Sequence, residues 1–197
     1  MKKREVKISR DTTETRIRIR LNLDGSGKYN IDTPVGFLNH MLELFAKHGM
    51  FDLDIKAMGD TYVDEHHLVE DMGIVLGQAF LKALGDKKSI NRYGFFILPM
   101  DEVLATAVLD FCGRSAFRFE CVFNRKKVGD LSTELIYDFW DAFAQNAKMN
   151  LQIKVENGRN THHKVEAIFK ACARAIRMAC GVDERSEDNI PSTKGVL

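Results

Sequence analysis

Two short stretches of this chain carry residue types at spacings that suit metal chemistry. Asp64-Glu65-His66-His67-Leu68-Val69-Glu70 opens an apolar, helix-like run that continues to Leu84, and Thr161-His162-His163-Lys164-Val165-Glu166 opens another. On a helix, His66 and Glu70 lie four apart and His67 and Glu70 three apart, so either pair can share a face. Neutral imidazole with carboxylate is a ligand set for zinc, manganese, iron or nickel. Adjacent histidines diverge by about 100° around a helix, so the two members of a pair would serve different ions or different roles. One such cluster is equally well explained as a polar first turn. Its recurrence, with His162 placed 96 residues after His66, favours a site. Four histidines and two glutamates make two metal ions the economical count, because tightly bound ions commonly take three or four protein ligands. His40 could add an imidazole, although a lone histidine on an apolar helix is more often a satisfied core or boundary residue. His48 shares that ambiguity, with a helix C-terminus as a second explanation.

The elements that must position these residues follow from periodicity. Arg16 to Leu23 alternates strictly, putting Ile17, Ile19, Leu21 and Leu23 on one face, as in a half-buried strand. Asp24-Gly25-Ser26-Gly27 is a turn signal, after which Lys28 to Asp32 is expected to return as the hairpin partner. Pro34 and Gly36 precede a predicted helix from Phe37 to Lys47, and Phe51 to Lys56 alternates as a strand. The first histidine pair then opens a long helix stopped by Gly85. The second half repeats this order. Strands are expected over Val103 to Phe111 and Phe117 to Phe123, with a helix from Glu134 to Asn146 capped by Ser132 or Thr133. Leu151, Ile153 and Val155 mark a further strand. Thr161 is the expected cap of the second His-His helix, which runs to Cys180.

Leu53-Asp54-Ile55-Lys56 and Leu151-Gln152-Ile153-Lys154 match at an offset of 98, so the repeat extends beyond the histidines. A period this long means a duplicated half-domain rather than a solenoid. The expected fold is α/β of the two-layer α+β kind, a β-β-(β)-α-β-α unit used twice, with helices on one face of each mixed sheet. The halves are taken as residues 1–95 and 96–197, each with one His-His-x-x-Glu helix.

Composition narrows the function classes. The chain has 197 residues, is 45% hydrophobic and 29% charged, and carries a formal net charge of +1, which describes an ordinary globular protein. Arg125-Lys126-Lys127 is a short basic run that reads as a solvated turn, and the basic residues are otherwise spread out, so no nucleic-acid partner is expected. The charged N-terminus lacks the apolar core of a secretory signal, and no stretch is long enough to span a bilayer. Cys112, Cys121, Cys172 and Cys180 show no metal or redox spacing and suit free thiols in a reducing cytoplasm. A soluble cytoplasmic protein is expected.

Several further stretches carry a resemblance. Leu21 to Gly27, Gly36 to Leu42, His48-Gly49, Asp64 to Asp71, Ile90 to Gly94, Gly113-Arg114, Val128 to Asp130, Thr133 to Leu135, Asn160 to Lys170 and Pro191 to Gly195 resemble, in order and spacing, the imidazoleglycerol-phosphate dehydratase family. The resemblance covers essentially the whole chain and implies a ribosomal protein S5 domain 2-like fold for each half. It implies the monofunctional form, without the phosphatase domain that some relatives fuse at the N-terminus.

The resemblance implies metal ligands at His40, His66, His67, Glu70, His162, His163 and Glu166. The eighth position falls on Asp138, where many members have histidine; an aspartate oxygen still suits manganese. Two manganese ions per active site are implied. So is a substrate that joins an imidazole to a phosphate and contacts Glu14, His40, His48, His66, Glu70, Arg92, Arg114, Lys170, Ser192, Thr193 and Lys194. Arginine offers phosphate a planar fork of donors, which a hydroxyl and an ammonium can complete. Held as imidazolate between the cations, the ring would expel the neighbouring hydroxyl to give a diazafulvene-like intermediate, with Glu14 as acid/base. An enol then gives the ketone. Shells of 24 subunits, with active sites between chains, are also implied. Read from the residues alone, a metal-dependent hydrolase and a non-enzymatic metal-binding module stay open, although neither accounts for Arg92, Arg114 and Lys194.

Overall fold

Alternation of Ile17, Ile19 and Leu21 with arginine buries the aliphatic face almost completely and leaves the charges in solvent. The computed structural model, which describes residues 3–186 and 189–197, builds each half around such a strand. The first half runs β1 (Glu5–Asp11), β2 (Thr15–Asn22), β3 (Tyr29–Asp32), α1 (Gly36–Gly49), β4 (Asp52–Gly59) and α2 (His66–Leu84). The second runs β5 (Tyr93–Met100), β6 (Val103–Asp110), β7 (Ala116–Glu120), a small hairpin of β8 (Lys127–Val128) and β9 (Leu131–Ser132), α3 (Leu135–Ala147), β10 (Asn150–Glu156) and α4 (Thr161–Cys180). The sheets have the orders β1-β2-β4-β3 and β5-β6-β10-β7. In both, the third and last strands of the order pair in parallel and the rest are antiparallel. Equal topology in both halves is the duplication expected from the sequence, with mixed sheets covered on one face by helices.

Helices of the two halves pack on each other, α1 on α4 and α2 on α3. Gly73 and Gly77 permit the second contact, because a Cβ at Gly73 would lie 2.4 Å from the Phe139 carbonyl and one at Gly77 2.6 Å from that of Phe143. Between the pairs lies an aromatic core in which Trp140 touches Phe45, Phe139, Phe143 and Phe169. These contacts run the four helices in one direction, so their N-terminal ends meet at one end of the molecule. The β8–β9 hairpin fastens that end. Asp130 accepts the amides of Gly36 (2.6 Å) and Phe37 (2.9 Å) at the start of α1. Buried Glu65, before α2, accepts the Ser132 amide at 2.8 Å and pairs with Lys127 at 3.1 Å. Lys127 makes this pair from an exposed position, and the Arg125-Lys126-Lys127 run stays exposed as expected.

Other expectations need correction. Lys28 to Asp32 does not form a hairpin with β2: that partner is β1, and β3 pairs in parallel with β4. The Asp52 carboxylate holds the amides of Ser26 and Lys28, which keeps the intervening loop tucked on β4 instead of folding it back along β2. Strand β5 was not expected, since Tyr93, Phe95 and Ile97 are apolar yet face solvent and blur the alternation. Strand β7 stops at Glu120, short of Cys121 and Phe123. Neither Ser132 nor Thr133 caps α3; the Thr133 hydroxyl donates to the carbonyls of Arg125 and Lys126. Asn160, not Thr161, caps α4 by accepting the His162 amide. The Thr161 hydroxyl is buried without a partner.

Candidate metal and active site

Every proposed ligand lies at the start of a helix, and helix pairing regroups them across the halves. His40 on α1 reaches the start of α4, where His162 Nε2 is 3.1 Å and His40 Nε2 3.8 Å from Glu166 Oε2. One ligand atom from each of these three residues lies within 4.8 Å of the others. The spacing of four between His162 and Glu166 puts them on one face, as the helical period requires. Phe37 packs edge-on against the His162 ring at 5.1 Å, walling one side. Burial pushes the Glu166 carboxyl up, but Lys170, 2.5 Å from its other oxygen, and His162 more than offset this and hold it below the usual range. Two imidazole nitrogens and an ionised carboxylate oxygen are a donor set that fits a divalent first-row cation.

The other helix pair carries the corresponding set. His66 and Asp138 line one groove of about 670 Å³ with Tyr137 and Phe119, and His66 Nε2 lies 3.9 Å from Glu70 Oε2. Burial raises the Asp138 carboxyl, with His66 opposing the shift and Glu134 and Asp141 adding to it. The two groups of three close ligand atoms found among the described residues do not include His66, Glu70 and Asp138, so this set is the looser.

His67 and His163 diverge from these sets, as adjacent helical positions must. The His67 ring contacts Asp60 through Nδ1 at 3.1 Å, and its Nε2 is 3.8 Å from Glu14 Oε1. Hydrogen bonding to Asp60 raises the His67 imidazole, with Glu14 adding to the effect. Glu14 occupies the exposed turn between β1 and β2, beside a histidine of the first His-His-x-x-Glu motif. On His163, Nδ1 contacts Glu102 Oε2 at 2.9 Å. His163 and the amides of Asn160 and Arg159 bring the Glu102 carboxyl down to about 2.

The expected phosphate ligands lie elsewhere in the chain. Arg92 donates its amide to the Ala179 carbonyl, seventeen residues beyond His162 on α4 and therefore about 26 Å along the helix. Its guanidinium is forked on Asp110 (2.6 and 3.0 Å) and donates to the Pro191 carbonyl at 2.8 Å. The tail returns to the same end: Leu197 lies against Gly113, next to exposed Arg114. Ser192 Oγ accepts the Lys194 amide, and Thr193 is exposed beside it. Lys170 stays with Glu166, and His48 lies near Lys170 and Arg174, its imidazole lowered by burial and then by those two cations. One chain therefore separates its metal-type ligands from Arg92, Arg114 and the tail by the length of a helix. Asp60, Glu102 and Asn160 escaped the sequence reading, since each sits outside the His-His-x-x-Glu pattern. The only available signal was the paired acids Asp101-Glu102 at a turn between apolar runs.

A duplicated fold that brings imidazole and carboxylate together at converging helix starts has the equipment of a metal-dependent enzyme. A sequence profile of imidazoleglycerol-phosphate dehydratase matches residues 33–176. A protein of that name from Koribacter versatilis (strain Ellin345) is 52% identical over 194 residues, covering 98% of this chain and 100% of that one. One from Clostridium botulinum (strain Alaska E43 / Type E3) is 53% identical over 198 residues and covers 100% of both. The crystal structure of imidazoleglycerol-phosphate dehydratase from Staphylococcus aureus subsp. aureus N315 superposes with a TM-score of 0.83 at 41% identity, covering 91% of this chain and 99% of that one. The chain belongs to the imidazoleglycerol-phosphate dehydratase family and is a hydro-lyase.

Proposed function

We propose that this enzyme dehydrates D-erythro-imidazole glycerol phosphate to imidazole acetol phosphate in histidine biosynthesis, with two manganese ions per active site. The observation that carries this reading is the gathering of His40, His162 and Glu166 from opposite halves of the duplication into one three-ligand set. His66, Glu70 and Asp138 are its counterpart, and His67 and His163 turn away from both sets toward Asp60 and Glu102. When bound, the cations supply Lewis acidity to the imidazole ring and a template for its orientation. Glu14 exchanges the proton on the carbon next to the one that loses hydroxide, and the enol so formed tautomerises to the ketone. Arg92, Arg114, Lys170, Ser192, Thr193 and Lys194 hold the phosphate, while His40, His48, His66 and Glu70 border the ring.

The long axis of α4 supports an active site shared between copies. A substrate of one imidazole, three carbons and a phosphate is far too short to bridge the roughly 26 Å between His162 and Arg92 of one chain. Metal ligands of one copy must then meet phosphate ligands of another, and His67 and His163, which turn away from the sets of their own chain, suit completion of a neighbour's metal. A 24-subunit shell accommodates this, with the half-domains of each chain meeting between α2 and β5, ahead of the expected boundary at 95, which would cut β5. No helix among the described residues is long and apolar enough to cross a membrane.

The test is ketone formation from imidazole glycerol phosphate by metal-stripped protein with and without added manganese. Turnover restored by manganese supports the assignment, and equal turnover in chelator removes the metal from it. Glu14→Gln is expected to abolish turnover with manganese content unchanged; near-wild-type turnover would remove Glu14 from the mechanism.

A further inference from the structure

His67 and His163 occupy the same position in the two histidine pairs, and each presents Nδ1 to a carboxylate. For His67 it is Asp60, with both oxygens within 3.2 Å. For His163 it is Glu102 Oε2 at 2.9 Å, with Asp101 Oδ2 farther off at 3.5 Å. The two carboxylates come from unrelated places, Asp60 from the loop between β4 and α2 and Glu102 from the turn between β5 and β6. Duplication alone would have copied the residue; here the contact recurs while its source differs.

Neighbouring groups fix the tautomer of His163. The His162 amide donates to one terminal atom of the Asn160 side chain at 3.0 Å, and an amide N–H has only a proton to give. That atom is therefore the oxygen, and the other is an NH₂ group. The NH₂ lies 3.2 Å from His163 Nε2 and has no lone pair, so Nε2 accepts and carries no proton. The ring proton is then on Nδ1, donated to Glu102. Glu102 cannot readily turn elsewhere, because its other oxygen accepts the amides of Arg159 (3.0 Å) and Asn160 (2.8 Å). Both oxygens are committed, so the trio Asp101, Glu102 and His163, although close enough to resemble a metal site, is an orienting contact.

We propose that Asp60 and Glu102 are positioning residues, each fixing the tautomer and plane of its histidine so that Nε2 carries the lone pair a metal would take, the Asn160 NH₂ on His163 giving way to it. This rests on the reading above that His67 and His163 are metal ligands. A carboxylate on the far nitrogen orients the ring and raises its basicity as a ligand. The same geometry accounts for a difference between the halves. Glu102 and Glu14 both occupy the turn between the first two strands of their half, but only Glu102 is locked on Nδ1. In the first half Asp60 takes that task and leaves Glu14 on the Nε2 side of His67, 3.8 Å away, where the metal and substrate would be.

Manganese affinity of metal-stripped protein, read from the electron paramagnetic resonance of free Mn(II), tests this with Glu102→Gln, His163→Ala and the double variant. Glu102→Gln is expected to weaken binding by about tenfold or more, and to cause no further loss in the His163→Ala background. Wild-type affinity of Glu102→Gln, or a full additional loss in the double variant, overturns the proposal. If His163→Ala itself binds normally, the ligand reading fails and takes the proposal with it, an outcome distinct from failure at Glu102 alone. Should Glu102→Gln not fold, Asp60→Asn with His67→Ala provides the same cycle without touching the Arg159 and Asn160 amides. An additive or absent effect there refutes the proposal equally.

Discussion

Gly73→Ala probes how helix packing sets the metal-type site. The added methyl would lie 2.4 Å from the Phe139 carbonyl oxygen and 3.1 Å from the Ala142 Cβ, whereas ordinary contact begins near 3.4 Å. The obstacle is backbone, which no rotamer change can move, so α2 and α3 must part by about 1 Å. Overpacking of this kind costs about 1–3 kcal/mol, and the better helix propensity of alanine returns about 1 kcal/mol. Because the clash is with backbone, the upper part of the cost range applies, leaving a net loss of about 1–2 kcal/mol. For a chain of this size that lowers Tm by about 2–8 °C. The struck carbonyl adjoins Asp138, so the opening also draws Asp138 away from His66 and Glu70, while His40, His162 and Glu166 lie on the other helix pair and keep their geometry. Thermal unfolding in chelator measures the first effect, and a manganese titration should show one of two equivalents weakened. An unchanged or raised Tm would refute the packing argument, and equal weakening of both equivalents would refute the assignment of Asp138 to the α2–α3 set.

Asp138→Ala should likewise weaken one manganese equivalent and spare the other; because it removes a carboxylate that burial disfavours, the metal-free variant should melt no lower than wild type, and retention of both equivalents at wild-type affinity would exclude Asp138 as a ligand. Deleting residues 191–197 should raise KM strongly, since Ser192, Thr193 and Lys194 leave with the Pro191 carbonyl that engages Arg92; an unchanged KM would sink the phosphate assignment. The Glu102 carboxyl is lowered from 4.5 to about 2, so its contribution to stability is complete above pH 4.5 and disappears as pH falls toward 2. Metal-free Glu102→Gln should therefore lose stability less steeply than wild type across that window in denaturant titrations, and parallel curves would contradict the cited contacts.

The elements that were legible in the sequence are those in which burial has a simple period. Strand β2 alternates because one face is core and the other water, and α2 and α4 were bounded by their histidine pairs and by Gly85 and Gly181. Strand β5 escaped because Phe95 and Ile97 are apolar and exposed, which erases the contrast that periodicity needs. The parallel pairing of β3 escaped because it depends on Asp52, distant in sequence, holding the Ser26 and Lys28 amides. Both helix caps were misassigned by a residue or more, since Thr133 spends its hydroxyl on a loop and Asn160 had the better reach to His162.

By itself the sequence determined the inventory of chemistry: two His-His-x-x-Glu motifs, each at the start of a helix, repeated by duplication. That much is local, because three- and four-residue spacings fix which side chains share a helical face. Only the tertiary structure decided which of these side chains meet. Packing of α1 on α4 and α2 on α3 joins His40 to His162 and Glu166, and brings Asp138 beside His66, so each set draws on both halves. It also put Arg92 and the tail at the opposite end of α4 from His162. Neither follows from spacing, because both depend on close contact between helices far apart in the chain, which the glycines at 73 and 77 and the aromatic core around Trp140 make possible.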